Sequence, residues 1–122
     1  SDVQLYVSTF YQEGGSPEFD DGIKAWLNED STAMTNNGGN DTIAAVTAMG
    51  YDAYYVALEA LKAAGSTDPA AVKAALPGVT YTGVTGDIAF DDIGDAIRDT
   101  AYIKVADTAN NAWALETMQK AG

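Results

Sequence analysis

The sequence contains no cysteine and no histidine. Without cysteine there is no disulfide, no thiol nucleophile and no thiolate metal site, and the redox compartment leaves no trace. Without histidine the commonest general base, the usual zinc ligand and the ordinary pH switch are missing together, so a hydrolase triad cannot be built. Basic side chains are scarce. Six Lys and Arg face 18 Asp and Glu, a net charge of -12. That charge repels phosphate backbones and anionic lipid over any distance that salt does not screen, which argues against nucleic acid as a partner. Its plain reading is solubility, with attraction of a cationic partner as the alternative. No stretch approaches the roughly 20 apolar residues of a membrane-spanning helix, and the N-terminus lacks the basic flank and apolar block of a secretory signal.

What is present suits one core: 122 residues with 47% hydrophobic content make one compact unit and are too few for two. Leu5 to Tyr11 are rich in β-branched and aromatic types and end at Gly14-Gly15, which predicts a buried strand and a turn. Ser16 before Pro17 is an N-cap followed by proline at the first helical position. Phe19, Ile23, Trp26 and Leu27 then recur on one helical face. Glu18, Asp20 and Asp21 fall in the first turn, where the helix dipole favours negative charge. This helix is expected to end near Asp30.

Ser31 to Asn40 read as a polar loop without periodicity. Asp41 is a candidate N-cap for one long, largely buried helix from Thr42 to Ala64, which survives Gly50 at a cost of about 1 kcal/mol. Gly65 suits the left-handed position that closes it, and Asp68 before Pro69 restarts a short helix through Leu76 that Pro77-Gly78 stops. Beyond it, Ile88 and Phe90 alternate, Asp91 to Asp95 turn, and Tyr102 to Val105 form a second strand, which reads as a β-hairpin. Asp107 to Asn111 turn into a last strand around Trp113 to Thr117, with Met118 to Gly122 expected to fray.

Three segments carry a resemblance to a known family. They are Gly50-Tyr51-Asp52-Ala53 through Leu58-Glu59-Ala60-Leu61 to Ala64-Gly65-Ser66-Thr67-Asp68, then Tyr81-Thr82-Gly83-Val84-Thr85-Gly86-Asp87-Ile88-Ala89-Phe90-Asp91 with Gly94-Asp95, and finally Tyr102-Ile103-Lys104-Val105. In that order they resemble the C-terminal portion of branched-chain amino-acid type periplasmic solute-binding proteins of ABC transporters. The fold class implied is α/β, an incomplete piece of a type I periplasmic-binding fold in the order strand, helix, long helix, short helix, β-hairpin, C-terminal strand. The resemblance implies that 1–12 are second-lobe strand and hinge, 13–106 are mainly first-lobe helices and hairpin, and 107–122 return toward the second lobe. The chain would then be a proteolytic remnant, an expressed fragment or one chain of a swapped assembly.

The same resemblance implies what the chain does. It would bind a small molecule, an amino acid being the expected class, by closure of two lobes, and present the closed form to the membrane permease subunits of the transporter. That places it outside the cytoplasmic membrane, with no enzyme activity, no cofactor and no metal. The polar groups that hold an amino acid's carboxylate and ammonium would lie upstream. Phe10 and Tyr11 at the hinge, Val46 and Thr47, and Tyr51 remain as cleft wall. Two rival readings are a ligand-sensing domain of a receptor or regulator with the same fold, and an isolated fragment that only self-associates through open apolar faces.

Each motif also has a plainer reading. Tyr51 and Asp52 on an apolar helix stand between ligand or hinge contact and a packed ring beside a satisfied carboxylate. Asp91 to Asp95 lack the alternating oxygens and distal glutamate of a calcium loop and read as a turn. Asp20 and Asp21 are adjacent on a helix and diverge, unlike a glycosidase pair. Tyr54 and Tyr55, with Trp26 and Trp113, read as core before they read as a stacking platform. Gly14-Gly15-Ser16 suggests an anion nest, but three first-turn acids oppose a phosphate there.

Overall fold

The computed structural model describes residues 3–121. Residues 1 and 2 of the first expected segment, and Gly122 of the expected frayed end, lie outside them. The chain runs β1 (Tyr6–Thr9), α1 (Pro17–Glu29), α2 (Ser31–Asn36), α3 (Ala45–Ala64) and α4 (Pro69–Ala75). A single 3-10 turn (Leu76–Gly78) leads to β2 (Tyr81–Gly83), β3 (Gly86–Phe90), β4 (Ala96–Ile97), β5 (Thr100–Asp107) and β6 (Ala112–Lys120). The strands form two antiparallel sheets, ordered β1-β5-β6 and β2-β3-β4.

Local chemistry accounts for most of the helix boundaries. Pro17 opens α1 because its missing N–H would be unpaired there in any case, although the Ser16 side chain makes no capping bond. The α3 sequence lacks proline and is rich in alanine, and Gly65 closes it at φ 59°, its N–H donating to the carbonyls of Leu61 and Lys62. A residue with a Cβ is disfavoured at that backbone angle. The Asp68 carboxylate caps α4 by accepting from the Ala70 N–H at 3.3 Å, ahead of Pro69.

Six expectations are corrected. The first strand is exposed where a buried one was expected, since three of its four residues face solvent. Ser31 to Asn36 are helical, because the Asp30 carboxylate accepts from the N–H groups of both Thr32 and Ala33. One residue thus ends α1 and caps α2. The long helix starts at Ala45, and Asp41 does not cap it. Nor is that helix largely buried: Ala48, Asp52, Val56 and Ala60, spaced by four, are its buried stripe. The strand through Tyr102 to Val105 does not pair with the Ile88 strand. It pairs with β1 (Tyr6↔Val105 to Thr9↔Tyr102) and with β6, while β3 pairs with β2 and the short β4. Finally, Met118 to Lys120 are held in β6 opposite Tyr102, Ala101 and Thr100.

Two connections join the β1-β5-β6 sheet to the rest of the molecule. Residues 10–16 run from β1 to α1, and residues 98–99 run from β4 to β5. The core lies on the helical side, where Tyr11, Phe19, Ile43 and Ala48 pack with Ile23, Ala45 and Val84.

Candidate functional site

Three carboxylates shape the helical side by holding loop backbone. Asp20 is buried, accepts from the Tyr11 hydroxyl, and accepts from the Gly14 N–H at 2.7 Å. The first-turn position therefore does not explain Asp20; it fastens the loop ahead of its own helix. It also fills the nest that Gly14-Gly15-Ser16 suggested. Glu13 accepts from the Ile43 N–H at 2.7 Å and pairs with Lys24 at 2.8 Å, which raises the lysine's pKa above its usual value. Asp52 is 0% exposed and accepts from the N–H groups of Val84 (2.9 Å) and Thr85 (2.8 Å) and from the Thr85 hydroxyl (2.5 Å). A Cβ at Gly83 would fall inside this carboxylate, so only glycine permits the approach. Asp52 is thus the satisfied carboxylate of the plainer reading.

Aromatic rings fill the space between these fastenings. Tyr11, 2% exposed, meets Phe19 edge to face at 5.5 Å. Phe19 meets Tyr51 at 4.9 Å, Tyr51 meets Tyr55 at 4.9 Å, and Tyr55 stacks on Tyr81 at 6.1 Å. Burial, reinforced by Asp20, pushes the Tyr11 phenol above its usual range. The bond from the Tyr51 hydroxyl to that of Tyr55, and then burial, push Tyr51 up to about 12. Both phenols are therefore neutral donors at physiological pH.

The five residues expected at the cleft wall do not converge. Tyr11 and Tyr51 share Phe19 as a neighbour. Phe10, 43% exposed, lies under the Arg98 guanidinium. Val46 is 73% exposed on the first turn of α3, and Thr47 borders a depression of about 210 Å³ shared with Trp26 and Asn37. Of the five, Tyr51 opens on a polar recess of about 330 Å³, walled by Gly15-Ser16, Tyr51 and the Tyr81–Val84 stretch. A larger groove of about 550 Å³ is apolar, formed by Met49, Val56 and Ala60 of α3 with Val72, Ile88 and Phe90. It resembles uncovered core more than a site that orients a solute, because Arg98 is the one polar side chain on its wall. Sequence reasoning missed Arg98 and Thr85, and its one available signal was that Arg98 is the only arginine. Among the described residues no cluster of acids could hold a metal, and the Asp91 carboxylate instead accepts from the N–H groups of Ile93 and Asp95 within its own turn.

This architecture is a mixed α/β fold with two antiparallel sheets. The family profile described as periplasmic binding protein matches residues 4–110. The chain belongs to that family. Among solved structures it is similar to the leucine-binding protein LivK of Thermotoga maritima, with 26% identity over 95% of this chain and 31% of that one and a TM-score of 0.66. It is also similar in fold to a solute-binding protein of an ABC transporter from Rhodopseudomonas palustris, solved with p-hydroxybenzoic acid. There the identity is 19% over 98% of this chain and 32% of that one, with a TM-score of 0.61. No curated protein matches the sequence. The chain spans about a third of the length of these solved relatives, a leucine-binding protein and a solute-binding protein. No helix of the described residues is long and apolar enough to cross a membrane.

Proposed function

We propose that this chain serves extracytoplasmic solute capture for an ABC uptake transporter, with an amino acid as the ligand and membrane permease subunits as partners. The observation that carries the proposal is the family match over residues 4–110, joined to the likeness to a leucine-binding protein along nearly the whole chain. Leucine and p-hydroxybenzoate, the ligands named for the two relatives, both join a carboxylate to an apolar body. A recess with phenol donors beside an aromatic cluster suits one side of such a solute.

In this reading the β1-β5-β6 sheet belongs to one lobe and the helices with β2-β3-β4 to the other. Residues 1–12 and 107–122 then fall to the second lobe, and the pairing of β5 with β1 supports adding residues 100–106 to them. The two lobes close about the connections at 10–16 and 98–99. Tyr51 takes the solute-facing position, Tyr11 stands behind it, and Phe10 marks the hinge, with Val46 and Thr47 as outer wall.

Self-association is a second reading favoured by one observation. Leu5, Val7, Trp113, Leu115 and Met118 are all exposed on or beside one sheet, and open apolar surface of that kind drives association. Calorimetric titration of the full-length protein that carries this chain, with free amino acids and p-hydroxybenzoate, tests the proposal. Micromolar binding of an amino acid is the expected result. Absence of heat with every amino acid, with mass rising with concentration, supports self-association instead.

A further inference from the structure

Arg98 lies in the second of the two connections between the sheets. Its Nη1 donates to the Thr85 hydroxyl at 2.8 Å and to the Thr85 carbonyl at 3.4 Å. The Thr85 hydroxyl has one proton and gives it to Asp52 at 2.5 Å, so toward Arg98 it can only accept. The order of donors is therefore fixed from Arg98 to Thr85 to Asp52. A chain of charge-assisted bonds thus ties the second connection to a fully buried carboxylate of α3. The guanidinium carbon also lies 5.8 Å from the centroid of the Phe10 ring, within cation–π range. Phe10 sits in the first connection. One side chain therefore touches both connections and is anchored on the helical side.

We propose that Arg98 is a positioning residue that clasps the two connections and sets the resting angle between the β1-β5-β6 sheet and the helical unit. The inference rests on the hinge-closure reading, because only relative motion of two units gives a clasp something to control. Arginine suits the task where lysine does not. A guanidinium can donate to Thr85 while its carbon stays over the Phe10 ring, whereas an ammonium is a compact point charge without that fork. Asp52 and Gly83 provide the rigid base: the carboxylate holds the β2–β3 turn against α3, and the missing Cβ allows the close approach.

The absence of cysteine makes the test direct. Paired spin labels at Lys73→Cys on α4 and Glu116→Cys on β6, both exposed, report the angle between the units. A control pair at Lys73→Cys and Asp21→Cys stays within the helical unit. The measurement uses the full-length protein that carries this chain, with any cysteine outside it replaced by serine. Phe10→Leu is expected to move the population away from the parent distance by about two- to fivefold, the equilibrium equivalent of one exposed cation–π contact. Arg98→Lys should shift it in the same direction, and the control distance should hold in both. Unchanged distance distributions in Phe10→Leu and Arg98→Lys would overturn the clasp. Both substitutions leave the bonds between Asp52 and the Val84–Thr85 backbone in place, so the fold is expected to survive them. Amino-acid titration of the same samples separates the two ideas. A distance shift without any amino-acid binding removes the uptake reading and leaves the clasp, while binding with unchanged distances does the reverse.

Discussion

The helical side and the β1-β5-β6 sheet are built on different principles. On the helical side Asp20, Asp52 and Glu13 hold loop backbone from within, and rings pack around Phe19. In the sheet no residue of β1, β5 or β6 is fully buried. The sheet is held by its ladder, which a register shift interrupts between Ile103 and Lys104, and by the Asp107 carboxylate. That carboxylate bonds Asn110 across the β5–β6 turn and is thereby held below its usual pKa. Ladder bonds organise strands, but each nets only about 1 kcal/mol, so apolar burial must supply the rest of a stable sheet. The difference teaches that one half carries its own core and the other presents surface to be covered.

The largest test of this contrast is Asp52→Ala. Two N–H groups and a hydroxyl in a buried site lose their acceptor, and an expected loss of about 3 kcal/mol or more should appear as a lower urea midpoint. A loss under about 1 kcal/mol would mean that the turn does not depend on the carboxylate. Gly83→Ala attacks the same contact from the other side. Forcing a methyl into the carboxylate should cost about 1–3 kcal/mol by the same measurement, and a neutral result would mean that β2 and α3 separate easily.

The alkaline limit gives a third, smaller test. The Tyr11 phenol has its pKa raised above the unfolded value of 10.0 by burial and by Asp20. A raised folded value means that its stabilising contribution is complete below the unfolded value and is lost as pH climbs from there toward the folded one. Unfolding midpoints should therefore fall as pH rises above about 10, and Tyr11→Phe should flatten that dependence. An equal slope in both proteins would assign the alkaline loss to other groups.

How much was legible follows the range of the interactions. Ser16-Pro17, Gly65 and Asp68-Pro69 act within a turn of helix, and each marks a boundary close to where the structure has it. Asp30 acts locally too, but as the end of one helix and the cap of the next, and a search for periodicity past it sees only polar residues. The run Tyr102 to Val105 reads as a strand yet carries nothing about its partner, because Tyr6 and Val105 meet across most of the chain. Asp20 was legible as a first-turn acid. Its burial was not, since it depends on a turn that brings Tyr11 and Gly14 back onto it. Phe10, Tyr11, Val46, Thr47 and Tyr51 came from resemblance, and of them Tyr11 and Tyr51 meet the same Phe19 ring. The Arg98 contacts join residues 13 and 88 positions apart, beyond the reach of any local pattern.

The smallest expected effect probes the sheet itself. Leu115 is exposed on β6, so in the 122-residue chain Leu115→Ala should alter stability by no more than about 0.5 kcal/mol, as surface changes usually do. The same substitution in the full-length protein should cost about 2 kcal/mol or more if the face is covered there, since large-to-small changes in a packed core fall in that range. The comparison is internal, with one substitution made in two contexts and read by the same denaturant midpoint. A small effect in both would mean that the sheet stays open in the full-length protein, and the contrast between a self-sufficient half and a half awaiting cover would then fail. A large effect in the isolated chain, rising with its concentration, would mean that a second copy already supplies the cover.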